Sequence, residues 1–178
     1  MNIIKRVILT LFCTSLLASQ TMAAKIILTP EKELQYQQMV LQAVNQYRSS
    51  KGLSPLVLKT VISEEAKQHS LDMANKKMPF GHKDFDKRIM HIKNHIPSFK
   101  GGAENIAFFK LTPKEVVKKW LTSRGHRRNI EGKYNLTGIG IVQDKKGWLY
   151  YTQIFVKNDQ VKKTNLHRPV SKFLKFLS

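Results

Sequence analysis

The chain has 178 residues, and its 31 lysines and arginines outnumber 12 aspartates and glutamates to give a formal net charge of +19. That length suits one domain with a substantial core, and the cationic excess points to anionic partners. The single cysteine, Cys13, excludes a disulfide scaffold, so burial of apolar side chains must hold the fold.

Lys5 and Arg6 precede a mostly apolar run over residues 7–17. Small residues follow, with a cleavage site at Thr21-Met22-Ala23 and Ala24 as the alternative end. Thr10, Thr14 and Ser15 interrupt the run, which is too short for a membrane-spanning helix. Residues 1–23 are therefore expected to be a cleaved signal peptide, and the protein secreted or periplasmic; an uncleaved anchor is the alternative. Phe12 before Cys13 argues against lipid attachment. Cleavage removes Cys13 and with it any thiol chemistry. The partners expected of an exported basic protein are anionic lipid or cell-envelope polymer rather than nucleic acid.

Thr29-Pro30-Glu31 opens the first helix with a cap, a first-turn proline and an acid at the positive end of the dipole. Tyr36, Val40, Ala43, Val44 and Tyr47 recur at helical spacing, and Gly52 and Pro55 end the helix. A second helix is predicted over about 60–77, with Ile62, Ala66, His69 and Met73 inward. His69 is read as a hydrogen-bonded core histidine. A short helix over 84–95 turns Phe85, Ile89 and Ile92 inward. His91 and His95 are four apart there, which could hold a metal, but with no third ligand nearby a solvated face is the better reading.

Residues 97–102 read as a loop and 103–109 as a short apolar segment. Thr112-Pro113-Lys114-Glu115 is a capping box that opens a helix carrying Val116, Val117, Trp120 and Leu121, closed at Gly125. Residues 136–143 and 148–156 read as two strands, with glycine in the left-handed position of the loop between them. The second strand is apolar on both faces: Trp148, Tyr150 and Ile154 on one, Leu149, Tyr151 and Phe155 on the other. Such a strand is covered on both sides, which places the sheet between helical layers. The domain is expected over 30–157. The basic tail 158–178 carries a Val170, Phe173, Leu174 and Leu177 stripe that suits a membrane-surface helix, a docked terminal helix or a disordered end.

Glycine leads into an ionisable side chain at Gly81-His82, at Gly101-Gly102-Ala103-Glu104 and at Gly125-His126. Two imidazoles and a carboxylate are the ligand set of an open zinc site. His82, Glu104 and His126 are thus the candidate ligands of a divalent cation such as zinc, although no motif demands a cofactor. Signatures of other chemistries are missing: there is no GxSxG elbow, no HExxH helix, no phosphate-cradling GxxxxGK[ST] and no dinucleotide fingerprint.

The order of these residues resembles the CAP superfamily (the SCP or cysteine-rich secretory protein domain), in its bacterial, cysteine-free branch. The resemblance is carried by Asn45-Gln46-Tyr47-Arg48, Gly81-His82 and Gly102-Ala103-Glu104-Asn105-Ile106-Ala107. It continues through Gly125-His126-Arg127-Arg128-Asn129-Ile130 to Gly138-Ile139-Gly140 and the aromatic final strand. It implies an α+β fold, a CAP-like α-β-α sandwich with an antiparallel sheet between helical layers. It also implies a cleft of two histidines and acidic residues, matched here by His82, Glu104 and His126. A second glutamate found in many animal members falls at Ser123, which removes one possible general base. Ser123 and Asn129 are secondary candidates.

Three readings of the cleft follow. It binds a small ligand, lipid or divalent cation at the cell envelope without catalysis; or it is a metal-assisted hydrolase of peptide, ester or glycan bonds, the metal lowering a bound water's pKa toward ~7. The third is a hydrogen-bonded network that only ties three loops together. Lys118, Lys119, Arg124, Arg127, Arg128 and Lys133 form a separate basic cluster suited to anionic lipid or polymer.

Overall fold

A computed structural model describes residues 27–159. The expected signal segment 1–23 lies outside the described residues, as does the tail beyond residue 159. The described chain runs α1 (Pro30–Ser50), β1 (Val57–Leu58), α2 (Thr60–Ala74), α3 (Phe85–His95) and β2 (Phe99–Phe109). It continues through α4 (Pro113–Thr122), α5 (Arg124–Glu131), β3 (Leu136–Gln143) and β4 (Leu149–Asn158). The Thr29 hydroxyl accepts the Lys32 N–H and starts α1 as expected. The Glu115 carboxylate accepts from both the N–H and the hydroxyl of Thr112 at the head of α4.

The strands form one sheet in the order β1-β3-β4-β2. β4 pairs antiparallel with β2 and with β3, as in the expected hairpin. The sheet is mixed, however, because the two-residue β1 lies parallel to β3 at its far edge. Helices cover both faces. α1 and α4 bury Val40, Val44, Val116 and Trp120 against Ile139, Ile141, Tyr151 and Phe155. On the other side, α2 and α3 bury Ile62, Ala66 and Ile92 against Leu136, Ile154 and Val156. This is the α-β-α sandwich, and the two apolar faces of β4 are its cause.

Two glycines set how closely α2 approaches. On β3, Ile139 and Ile141 face α1 and α4, so Gly138 and Gly140 face α2. A Cβ at Gly138 would overlap the carbonyl carbon of Ile62, and one at Gly140 would overlap the backbone nitrogen of Lys67. Only hydrogen leaves room for the helix backbone there. Gly147, at φ +81°, closes the β3–β4 turn in the left-handed conformation expected of it.

Two boundaries differ from expectation. β2 starts at Phe99, because Gly101 and Gly102 continue the ladder opposite Lys157 and Val156 after an irregularity at Phe99. Gly125 does not close α4. That helix stops at Thr122, Ser123 is extended, and Gly125 lies in the first turn of α5. α5 buries one side chain, Ile130, so no apolar period announces it. It is held from outside by Arg48. That guanidinium is 2% exposed and donates to the carbonyls of Ser54, Ile130, Gly132 and Tyr134. Arg48 thereby satisfies backbone acceptors left open at and beyond the end of α5.

Candidate functional site

β2 is the edge strand beside β4, so elements of both helical layers reach it. Along β2, Glu104 and Ile106 share the face toward α2 and α3, and Asn105 points the other way. Glu104 is 6% exposed. Its carboxylate receives a two-pronged guanidinium from α3: Arg88 Nε donates to Oε2 at 3.0 Å and Nη2 to Oε1 at 2.8 Å. A third nitrogen, Nη1, donates to the Lys83 carbonyl at 2.8 Å, which fixes the loop ahead of α3.

His82 sits on that loop. Its Nδ1 lies 2.8 Å from Glu104 Oε1. Facing a carboxylate, Nδ1 is the donor, which leaves the Nε2 lone pair free to face outward. The ring is half exposed (53%), whereas the carboxylate behind it is 1% exposed. His69, on α2, closes the rear. Its Nε2 bonds the Gly81 carbonyl at 3.0 Å and stands 3.7 Å from Glu104 Oε1. The ring is buried, and its Nδ1 has no hydrogen-bond partner among the described residues. Burial pulls the His69 pKa down from the ordinary 6.5; the Glu104 charge opposes this, and Arg88 adds to the lowering. His69 is the hydrogen-bonded core histidine expected, and it also holds the carbonyl that precedes His82.

His126 arrives from the opposite layer on α5. The Asn105 side chain places it by donating Nδ2 to the His126 carbonyl at 3.1 Å. Asn129, one turn on, donates to the Glu104 carbonyl (3.1 Å) and to Asn105 Oδ1 (2.9 Å). These bonds tie α5 to the strand that carries Glu104. Burial lowers the His126 pKa first, and the charge of His82 lowers it further. Ser123 sits at the α4–α5 junction, partly exposed, and its side chain makes no capping bond.

His82, Glu104, His126 and Asn129 are thus brought into one neighbourhood, with Ser123 at its margin. The roles within it are unequal. Both Glu104 oxygens are already engaged, and the Arg88 charge sits where a cation bound to that carboxylate would be repelled. Among the described residues, no group of three or more His, Cys, Asp or Glu side chains is placed to hold a metal ion. Glu104 fits as the group behind His82, not as a third ligand; the two imidazoles are the open donors. The other spaced pair is engaged as well, since His91 Nδ1 meets Glu65 at 2.6 Å and His95 Nδ1 bonds the His91 carbonyl.

Sequence reasoning missed Arg88 and the positioning role of Asn105. Arg88 had a signal. It falls on the Phe85, Ile89 and Ile92 stripe, and a cation on an inward stripe requires a buried acid. Asn105 carried none beyond its place next to Glu104.

Residues 41–155 match the model of the CAP family, described as the cysteine-rich secretory protein family. Over 130 residues the chain is 34% identical to the uncharacterized protein YkwD of Bacillus subtilis, covering 71% of this chain and 49% of that one. It is 32% identical to the uncharacterized membrane protein YlbC of the same organism, covering 75% and 36%. The chain thus spans half or less of the length of these curated relatives. Among solved structures, an extracellular SCP-domain protein of Bacillus anthracis superposes with a TM-score of 0.63 at 26% identity, over 75% of this chain and 45% of that one. An outer surface protein of Borrelia burgdorferi shares the fold at TM-score 0.60 and 18% identity, over 75% and 97%.

Proposed function

From the premise that the chain belongs to the cysteine-rich secretory protein (CAP) family, we propose that it is an exported, non-catalytic binding domain. Its His82–His126 cleft takes a small ligand, lipid or divalent cation at the cell envelope. The observation that carries this reading is the His82 ring, half exposed on a buried Arg88–Glu104 pair. A chain that needed only a structural network would have no reason to leave that imidazole open. No nucleophile accompanies it: the Ser123 hydroxyl has no hydrogen bond to a base among the described residues, so nothing activates it.

A cation such as zinc would be held by the two imidazoles, with Glu104 fixing the ring of His82. Two protein ligands leave the remaining positions to water or to a ligand's own donor, so affinity is weak without that ligand. Export is supported by the basic, mostly apolar leader and by the extracellular B. anthracis relative. Among the described residues no helix is long and apolar enough to cross a membrane. Lys118, Lys119, Arg124, Arg127, Arg128 and Lys133 are all exposed or partly exposed around α4 and α5, a surface suited to anionic lipid or polymer.

Metal analysis and titration calorimetry test the reading on wild type and on a His82→Ala/His126→Ala variant, with circular dichroism as the folding control. Wild type takes up zinc and the folded double variant does not. Equal uptake by both removes the cleft from the account. A hydrolase is the second reading, favoured by the carboxylate–imidazole dyad, which presents a base to solvent. It requires turnover of a peptide, ester or glycan bond that both a chelator and Glu104→Gln abolish; without turnover it is dropped.

A further inference from the structure

The far end of the β3–β4 hairpin carries an aromatic floor that the His82 cleft does not use. Phe108 of β2 stacks on Trp148, with 4.6 Å between ring centroids and 27° between planes, and packs against Tyr150 at 4.7 Å. Phe80, 51% exposed, extends the row at 6.0 Å from Phe108. Phe108, Trp148 and Tyr150 line a cleft of about 520 Å³ between the end of α2 and the hairpin turn. That volume lies within the roughly 300–1,000 Å³ usual for ligand sites.

The walls of this cleft are cationic. Lys76, Lys145 and Lys146 line it, and the Lys110 ammonium stands 5.2 Å from the Trp148 ring centroid. Among the described residues, none of these four lysines makes an ion pair. The acid in the lining, Asp144, is committed elsewhere: its Oδ1 accepts the N–H of Lys146 and of Trp148, each at 2.9 Å, and so holds the turn. Lys76 is fixed in place by the backbone. It occupies a left-handed position (φ +58°) just past the α2 cap, where glycine would be unstrained.

We infer that this groove binds an anionic glycan. Its sugar rings pack along the Phe108–Trp148–Tyr150 row, and its carboxylate or phosphate groups meet Lys76, Lys110, Lys145 and Lys146. The apolar C–H groups of a pyranose pack against the row of stacked rings, and the lysines without ion pairs supply the charge that complements the polymer's acid groups. A flat membrane fits less well, because Tyr150 is 9% exposed and Trp148 is half-buried, so a ligand must enter the groove to reach the rings. Neither His82 nor His126 is among the residues that line this groove.

Oligogalacturonate and phosphomannan serve as carboxylate and phosphate probes, read by tryptophan emission and by calorimetry on the whole protein. Trp120 is buried, so the emission change belongs to Trp148. At least one probe binds, and Lys145→Ala/Lys146→Ala weakens it about ten-fold while leaving the fold intact. Methyl-esterified galacturonan binds about ten-fold more weakly than the free acid where the carboxylate is recognised. Lys76→Gly lowers affinity about two- to three-fold without lowering the melting temperature, because it relieves strain as it removes charge. The His82→Ala/His126→Ala variant binds as wild type does, so this test and that of the cleft fail separately. Failure of both probes overturns the inference. So does equal binding of charge-matched polyaspartate, tighter binding of phosphatidylglycerol vesicles or single-stranded DNA, or wild-type affinity in the Lys145→Ala/Lys146→Ala variant.

Discussion

Two arginines are buried in this domain, and their partners differ in kind. Arg48 is 2% exposed and gives its hydrogen bonds to four backbone carbonyls, one at Ser54 and three at or beyond the end of α5. Arg88 is 7% exposed and gives two of its three to a carboxylate, which in turn holds an open imidazole. The first arrangement ends in backbone and can only stabilise. The second ends in a group that can accept a proton or a ligand. Burial of a charge is thus a poor guide to function by itself, and the last member of the chain of contacts is the informative one.

The contrast can be broken by mutation. Arg48→Ala strands several buried carbonyls and is expected to cost about 3–5 kcal/mol, with a large fall in melting temperature. Zinc uptake by the fraction that remains folded should not change. Arg88→Met leaves the Glu104 carboxylate buried without its main partner and is expected to cost about 2–4 kcal/mol. Pairing it with Glu104→Gln should recover more than half of that loss in a double-mutant cycle, while zinc uptake stays impaired. Full additivity would mean that the two residues are not coupled. Asn105→Ala removes the bridge between β2 and α5, for about 1–3 kcal/mol, and should weaken zinc uptake more than Arg48→Ala does.

The smallest effect is a slope with pH. His69 and His126 both titrate below the ordinary 6.5, chiefly because burial disfavours the charged ring. The folded state therefore binds fewer protons than the unfolded chain. The stability held by these neutral rings is complete above about pH 6.5 and is lost as the pH falls through and below that value. Urea titrations between neutral and mildly acidic pH should show this decline, and His69→Gln should flatten it. A midpoint that rises on acidification would contradict the assignment of neutral rings.

The sequence made legible whatever rests on local chemistry or on a repeating apolar face. Thr29-Pro30 marked the start of α1, Ile62, Ala66, His69 and Met73 marked the inner face of α2, and the two-sided β4 announced the sandwich. Elements fixed by distant partners were hidden. α5 has one buried side chain and is held by Arg48 from α1, so its own residues suggested only a turn at Gly125. Gly101-Gly102 looked like a loop because glycine has no side chain to show strand alternation; pairing to β4 decides it. At the site, the Gly-His and Gly-Ala-Glu steps drew attention to His82, Glu104 and His126, of which His82 and Glu104 bond each other directly. They could not show that Arg88 would occupy the carboxylate and move Glu104 from the ligand position to the one behind it.

Arg88 and Glu104 hold His82 with Nδ1–H inward and Nε2 open. A long-range ¹H–¹⁵N spectrum of imidazole-labelled protein at mildly alkaline pH reads that state directly. The account predicts a single Nδ1–H tautomer at His82, lost in Arg88→Met. An Nε2–H tautomer at His82, or rapid averaging between the two in wild type, would contradict it.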